Sequence, residues 1–155
     1  EKTGKMEEKL ERFQKFQQDF YMLWGQITIF YSRWAEKIGI NYTTLMILCG
    51  LDVHGSMTQK NICDYYGFPK QTVNGTIHRL VDCGYVDLKK NSADKREKLA
   101  VLTERGKEYV KEKLTPLYEA EQHAFFMIGD EKMFRMLEAM DAFGTLLGRR
   151  LEGER

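Results

Sequence analysis

Apolar residues recur at Phe13, Phe16, Phe20, Leu23, Ile27, Phe30 or Tyr31, Trp34 and Ile38, in steps of three and four. That spacing keeps one face of a long helix apolar. Gly39 closes the helix, because glycine readily takes the left-handed conformation that ends one. Asn41 caps the next helix, whose inward face carries Leu45, Leu48, Cys49 and Leu51. The pattern breaks at His54 and Gly55. Thr58 then caps a short helix with Ile62, Cys63 and Tyr66 facing in, and Gly67 stops it. Pro69 fixes the backbone at the entrance of a further helix reaching Cys83, with Val73, Ile77, Leu80 and Val81 as its buried stripe. A short helix, a tight turn and a second helix form a helix-turn-helix unit.

Beyond Gly84 the period changes from helical to alternating. Tyr85 to Leu88 and Leu99 to Leu102 read as two short strands around a polar loop, a wing with a basic tip. Thr103 caps a helix carrying Tyr109, Val110, Leu114, Leu117 and Tyr118, in which Pro116 is expected to leave a kink. Gly129 and Asp130 mark a restart. The last helix places Met133, Leu137, Met140, Phe143 or Gly144, Leu147 and Leu151 on one face.

The predicted fold is mainly α with a small β-wing, in a single domain over 1–155. Residues 41–102 form a winged helix-turn-helix head, and 6–38 with 103–152 form a helical region. A head of this size cannot cover the apolar stripes of the first and last helices. Pairing with a second copy is therefore expected, and the helical region is assigned to dimerisation.

Composition narrows the function. A formal net charge of +1 excludes a globally basic nucleic-acid binder, so any such contact must come from local charge. Pro69 to Lys98 supplies it, with seven Lys or Arg against four Asp or Glu. Cys49, Cys63 and Cys83 form an odd set without a close pair, which points to a reducing compartment, the cytoplasm. No apolar run reaches a membrane-spanning length, so no membrane partner is expected, and the charged start from Glu1 to Glu11 does not resemble a secretory leader.

The outward positions of the helix after Pro69 carry the chemistry. Gln71 and Asn74 can donate and accept together, matching the N6 and N7 edge of adenine, and Thr72 can bond several bases or touch a thymine methyl. These three are assigned to base edges, and Lys70 and Arg79 to phosphates. Gly75 leaves room for the duplex to approach the backbone, and His78 faces DNA backbone or solvent. Polar residues on a solvated helix face are ordinary in isolation, so the surrounding sequence decides.

That sequence contains Gly84-Tyr85-Val86 after the helix, Asp94 two residues before Arg96 in the wing, and Leu102-Thr103-Glu104-Arg105-Gly106 leading into the next helix. In this order and spacing the chain resembles the MarR family of bacterial regulators, over essentially its whole length. The resemblance implies a homodimer on double-stranded DNA, with Arg96 entering the minor groove and Asp94 holding the wing loop in shape. A guanidinium suits the negative potential of a narrow minor groove, and a carboxylate two residues away can orient it. Lys95 belongs to the same cationic tip. Many members carry an arginine shortly after the apolar pair. This chain has Leu88 there, which passes the phosphate role to Lys89 or Lys90.

The resemblance also implies a small aromatic or lipophilic effector near the junction of helical region and head, where Trp24, Tyr31, Trp34 and Tyr42 fall. Plain core or dimer packing is the alternative for these rings. Cys49 and Cys63 read as core residues, and Cys83 as the most exposed of the three. His54, His78 and His123 are isolated and lack the one-turn spacing that suits zinc, so no metal or other cofactor is expected. No nucleophile elbow, phosphate loop or dinucleotide motif is present, and the chain is not expected to be an enzyme.

The expected function is sequence-specific regulation of transcription, as a repressor on a pseudo-palindromic operator. A winged-helix module that docks an acidic protein is the alternative, and a catalytic or ligand-binding helical dimer a more distant one. A two-fold dimer implies half-sites about 10 base pairs, roughly 34 Å, apart.

Overall fold

The computed structural model describes residues 2–153. In chain order the elements are α1 (Lys2–Lys37), α2 (Tyr42–His54), β1 (Ser56–Thr58), α3 (Gln59–Tyr66), α4 (Lys70–Asp82), β2 (Val86–Lys90), β3 (Lys98–Leu102), α5 (Glu104–Ile128) and α6 (Asp130–Glu152). The chain divides into two compact units, 1–112 and 113–155. The division falls within α5, which contains Pro116. The helix nonetheless runs unbroken through Pro116.

Local chemistry sets the boundaries in the first unit. The Ile40 and Gly39 amides donate to the Ala35 and Glu36 carbonyls at 3.0 Å each, with Gly39 at φ 80°, which closes α1 in a Schellman turn. Asn41 Oδ1 accepts from the Thr44 amide at 2.8 Å and caps α2. Thr58 and Asn61 form a reciprocal capping box at α3, where each side chain bonds the other's backbone N–H. Gly67 ends α3 at φ 67°, and α4 starts directly after Pro69.

Helix α2 lies at the centre of the head, packed on α1, α3, α4 and strands β1 and β3. Its neighbours surround it, so Ile47 is buried as fully as Leu45, Leu48 and Leu51, while Cys49 is only half-buried. A one-sided inward face therefore understates this helix. Ile62, Val73, Ile77, Val86 and Ala100 complete the core around it.

The sheet has the order β1-β3-β2, both pairs antiparallel. Strand β1, absent from the sequence expectation, is three residues long and pairs Ser56 with Val101 and Thr58 with Leu99. So short a segment has no alternation to read; its partner is more than forty positions away. Along β2 and β3, Val86 with Leu102, Leu88 with Ala100 and Lys90 with Lys98 share the face turned to the core. Asp87 and Lys89 lie on the other face.

Helix α1 is 36 residues, about 54 Å, and leaves Phe16, Leu23, Trp24 and Ile27 exposed, Trp24 at 56%. In the second unit, α6 leaves Leu137, Met140, Leu147 and Leu151 exposed. Among the described residues, no helix is long and apolar enough to cross a membrane.

Candidate nucleic-acid interface

Burial on α4 follows its helical phase. Val73, Thr76, Ile77 and Leu80 are buried, and Gln71, Asn74, Gly75 and His78 are exposed at the i, i+3, i+4, i+7 spacing of a single stripe. Thr72 is exposed on the flank. A Cβ on Gly75 would meet no atom of the chain within 4 Å, so nothing inside the protein requires glycine there.

Arg79 is exposed but turns away from this stripe. Its Nη2 donates to Thr76 Oγ1 at 3.1 Å, on the side of α4 that lines a cavity of about 550 Å³. The cavity is walled by the end of α1, the start of α2, α4, Tyr85 and Tyr109. Of the four aromatic residues expected at a ligand pocket, Tyr42 lines this space. Trp24 stands against Phe20, 5.7 Å between ring centroids, and Trp34 lies under the Lys37 ammonium at 4.9 Å; Tyr31 is half-buried on the same helix. Cys83, Tyr85 and Tyr109, which sequence reasoning did not place at a pocket, do line it, as does Arg79. They come from α4, the connection that follows it and α5, and no sequence spacing announces their meeting.

Tyr42 also packs edge-on against Phe68, which in turn touches Tyr66, so three rings brace the turn ahead of α4. Burial raises the Tyr66 hydroxyl above the usual tyrosine value, with Cys49 and Tyr65 adding to the rise.

The wing is anchored at its base by a joint between two stretches that the sequence separates. Thr103 Oγ1 donates to the Gly84 carbonyl at 2.7 Å and accepts from the Gly106 amide at 2.9 Å, while the Thr103 amide donates to the Tyr85 carbonyl at 3.0 Å. The Tyr85 ring stacks on Tyr109 at 4.5 Å and lies under the Arg105 guanidinium at 5.2 Å. These contacts join the end of α4, the approach to the first wing strand and the start of α5.

At the tip, Asp94 Oδ1 accepts from the Arg96 backbone amide at 2.9 Å, and Asn91 Oδ1 from the Ala93 amide at 3.0 Å. Asp94 thus bonds the backbone of the loop, in keeping with the expected shaping role, and the bond it makes to Arg96 is to the amide and not to the guanidinium. Lys89, Lys90, Lys95 and Arg96 are all exposed. Lys90 shares the core-side face with Leu88, and Lys89 occupies the opposite one.

A second cavity, about 530 Å³, lies between α3, the start of α4 and the wing. It is lined by Gln59, Lys60, Cys63, Lys70, Leu88, Arg96, Glu97 and Lys98. Lys60 and Lys98 were not among the expected site residues, because they belong to separate elements and to no recognisable motif.

The family model described as MarR family matches residues 38–97. The HTH-type transcriptional regulator YwoH of Bacillus subtilis is 37% identical over 107 residues, 68% of this chain and 77% of that protein. The chain belongs to the MarR family. Among MarR structures, the regulator NMB1585 from Neisseria meningitidis superimposes with a TM-score of 0.73 at 27% identity, covering 89% of this chain and 97% of that one. Reduced AbfR bound to DNA shares the MarR fold with a TM-score of 0.66 at 21% identity, covering 90% of this chain and 97% of that one. As a MarR family transcriptional regulator, the chain has the winged-helix architecture expected from its sequence.

Proposed function

We propose that this MarR protein is a sequence-specific DNA-binding repressor that grips a pseudo-palindromic operator as a cytoplasmic homodimer. The observation that carries the reading is the exposed stripe of Gln71, Asn74, Gly75 and His78, beside a cationic wing whose base is hydrogen-bonded to the start of α5. In this reading α4 enters the major groove. Gln71, Thr72 and Asn74 meet base edges, Lys70 meets phosphate, and Gly75 permits close backbone approach. Lys89 and Lys90 meet phosphates beside the wing, while Arg96, with Lys95 next to it and Asp94 shaping its loop, reaches the minor groove. The fold relative AbfR is described as bound to DNA.

Dimerisation is supported by the large apolar side chains that α1 and α6 each leave exposed, such as Leu23 and Ile27 on α1 and Leu137 and Leu147 on α6. Effector release is supported by the cavity at Tyr42. Its rings suit a small aromatic or lipophilic ligand, and Arg79 and Glu36 add one charge of each sign to its lining. A ligand there touches α4 through Thr76, Arg79 and Leu80, and reaches Cys83 just beyond its end. It releases DNA only by binding the DNA-incompetent arrangement more tightly. Blocking polymerase access at the operator is the repressing step.

The test is a titration of salt against binding to random-sequence duplex. A DNA reader loses affinity steeply as salt rises, because each neutralised phosphate releases counterions. A winged helix that docks an acidic protein would show almost no affinity for duplex at any salt, and that result would replace this reading.

A further inference from the structure

The cavity between α3, α4 and the wing gathers Lys60, Lys70, Arg96 and Lys98 around one space, against the single carboxylate of Glu97. Among the described residues none of these four cations is in an ion pair. Leu88 and Cys63 give the space an apolar lining between the charges. Both helices of the helix-turn-helix lack an acidic residue in the first turn, and each carries a lysine there, Lys60 in α3 and Lys70 in α4. Helix electrostatics alone favour the reverse arrangement, since the N-terminal end of a helix is positive and attracts carboxylates. Concentrating cations there disfavours the isolated head and favours a bound anion.

Strand register supplies the other wall. Lys98 pairs with Lys90 and lies on the same sheet face as Leu88, so its ammonium is carried on the side of the wing that faces α3. Lys89 is on the opposite face and cannot serve this space. We propose that the groove is a seat for one backbone phosphate of the duplex, with Lys60 from α3 and Lys98 from the wing as the pair of cations that close on it. A phosphate held there ties the first helix of the head to the wing and fixes how far α4 enters the major groove. The proposal rests on the chain being a DNA binder. Glu97 opposes the anion from within the same groove, so neutralising it strengthens the contact.

The experiment measures affinity for a random-sequence duplex across sodium chloride concentration for the full chain and for Lys60→Ala, Lys98→Ala, the two combined and Glu97→Gln, with urea midpoints confirming that each variant is folded. The seated phosphate accounts for about 0.9 of the slope of log affinity on log salt, so raising salt from about 50 to 200 mM costs the wild type roughly 3.5-fold more than a variant lacking both lysines, and a smaller factor more than either single variant. Glu97→Gln is expected to bind more tightly than wild type throughout. Wild-type slopes for both lysine variants, beside a steep wild-type slope, would overturn the seat and leave DNA binding standing. Loss of duplex binding in the wild type itself would remove the underlying reading instead. A third arm titrates inorganic phosphate into the free protein. Saturable binding lost in Lys60→Ala, with duplex slopes unchanged, would assign the groove to a free phosphate ligand and overturn the backbone assignment.

Discussion

Gly106→Ala tests whether the joint at the base of the wing is as closed as its geometry indicates. A Cβ at Gly106 would overlap the Tyr85 carbonyl oxygen and would lie 2.9 Å from the Tyr85 carbonyl carbon and 3.2 Å from its Cα, inside the 3.4 Å at which ordinary contact begins. Both sides of the clash are backbone, so no rotamer change relieves it. Forcing a methyl into such a site costs about 3 kcal/mol, the upper end of overpacking, while alanine regains about 1 kcal/mol of helix propensity. The net loss is about 2 kcal/mol, before any weakening of the bonds from Thr103 to Gly84 and Tyr85. At a urea slope of about 2 kcal/mol per M the midpoint falls by about 1 M, measured at fixed protein concentration because a dimer's stability depends on it. Gly75→Ala makes the same chemical change where a Cβ meets nothing, and its midpoint is expected to rise. A Gly106→Ala midpoint equal to or above that of the wild type would refute the tight joint at the base of the wing.

Gln71→Ala and Asn74→Ala are each expected to cost about 1 to 3 kcal/mol in operator binding and to relax base preference at one position, read by competition between operator and point-mutated duplexes. Unchanged preference would remove these residues from base reading. Gly75→Ala, though stabilising to the fold, is expected to weaken duplex binding, since its methyl stands where the backbone approaches DNA; equal affinity would place the duplex farther from α4. The raised Tyr66 pKa makes stability depend on alkaline pH. The folded state holds the phenolic proton more tightly than the unfolded chain, so this group's stabilisation is intact below pH about 10 and declines as pH rises from there through the higher folded value. Tyr66→Phe is expected to show a smaller fall in urea midpoint between about pH 9 and 11 than the wild type, and an identical fall would contradict the shift.

The features legible in the sequence were those set by near neighbours. Asn41, Thr58, Gly39 and Gly67 act within one turn of their own positions, and each marks the boundary its chemistry requires. The α4 stripe follows from period alone. Strand β1 exists only because β3 runs beside it, and Ile47 is buried because α2 has neighbours on several sides; neither condition is local. Arg79 reads as a phosphate ligand from its place on α4, yet the Thr76 hydroxyl one turn earlier draws its guanidinium toward the cavity. Gly84-Tyr85-Val86 and Leu102 to Gly106 stand out as motifs, but nothing in their letters shows that one locks onto the other. Lys60 and Lys98 share a groove through tertiary packing, so their lack of any motif kept them out of the expected site.

In the proposed complex, two copies of this head present their α4 helices to one face of a duplex. Selection of bound sequences from a randomised duplex library tests it most directly. Enrichment of an inverted repeat whose half-site centres lie about 10 base pairs apart, one helical turn, is expected. A library that emerges unenriched, or enriched for a single half-site with no symmetric mate, would contradict it.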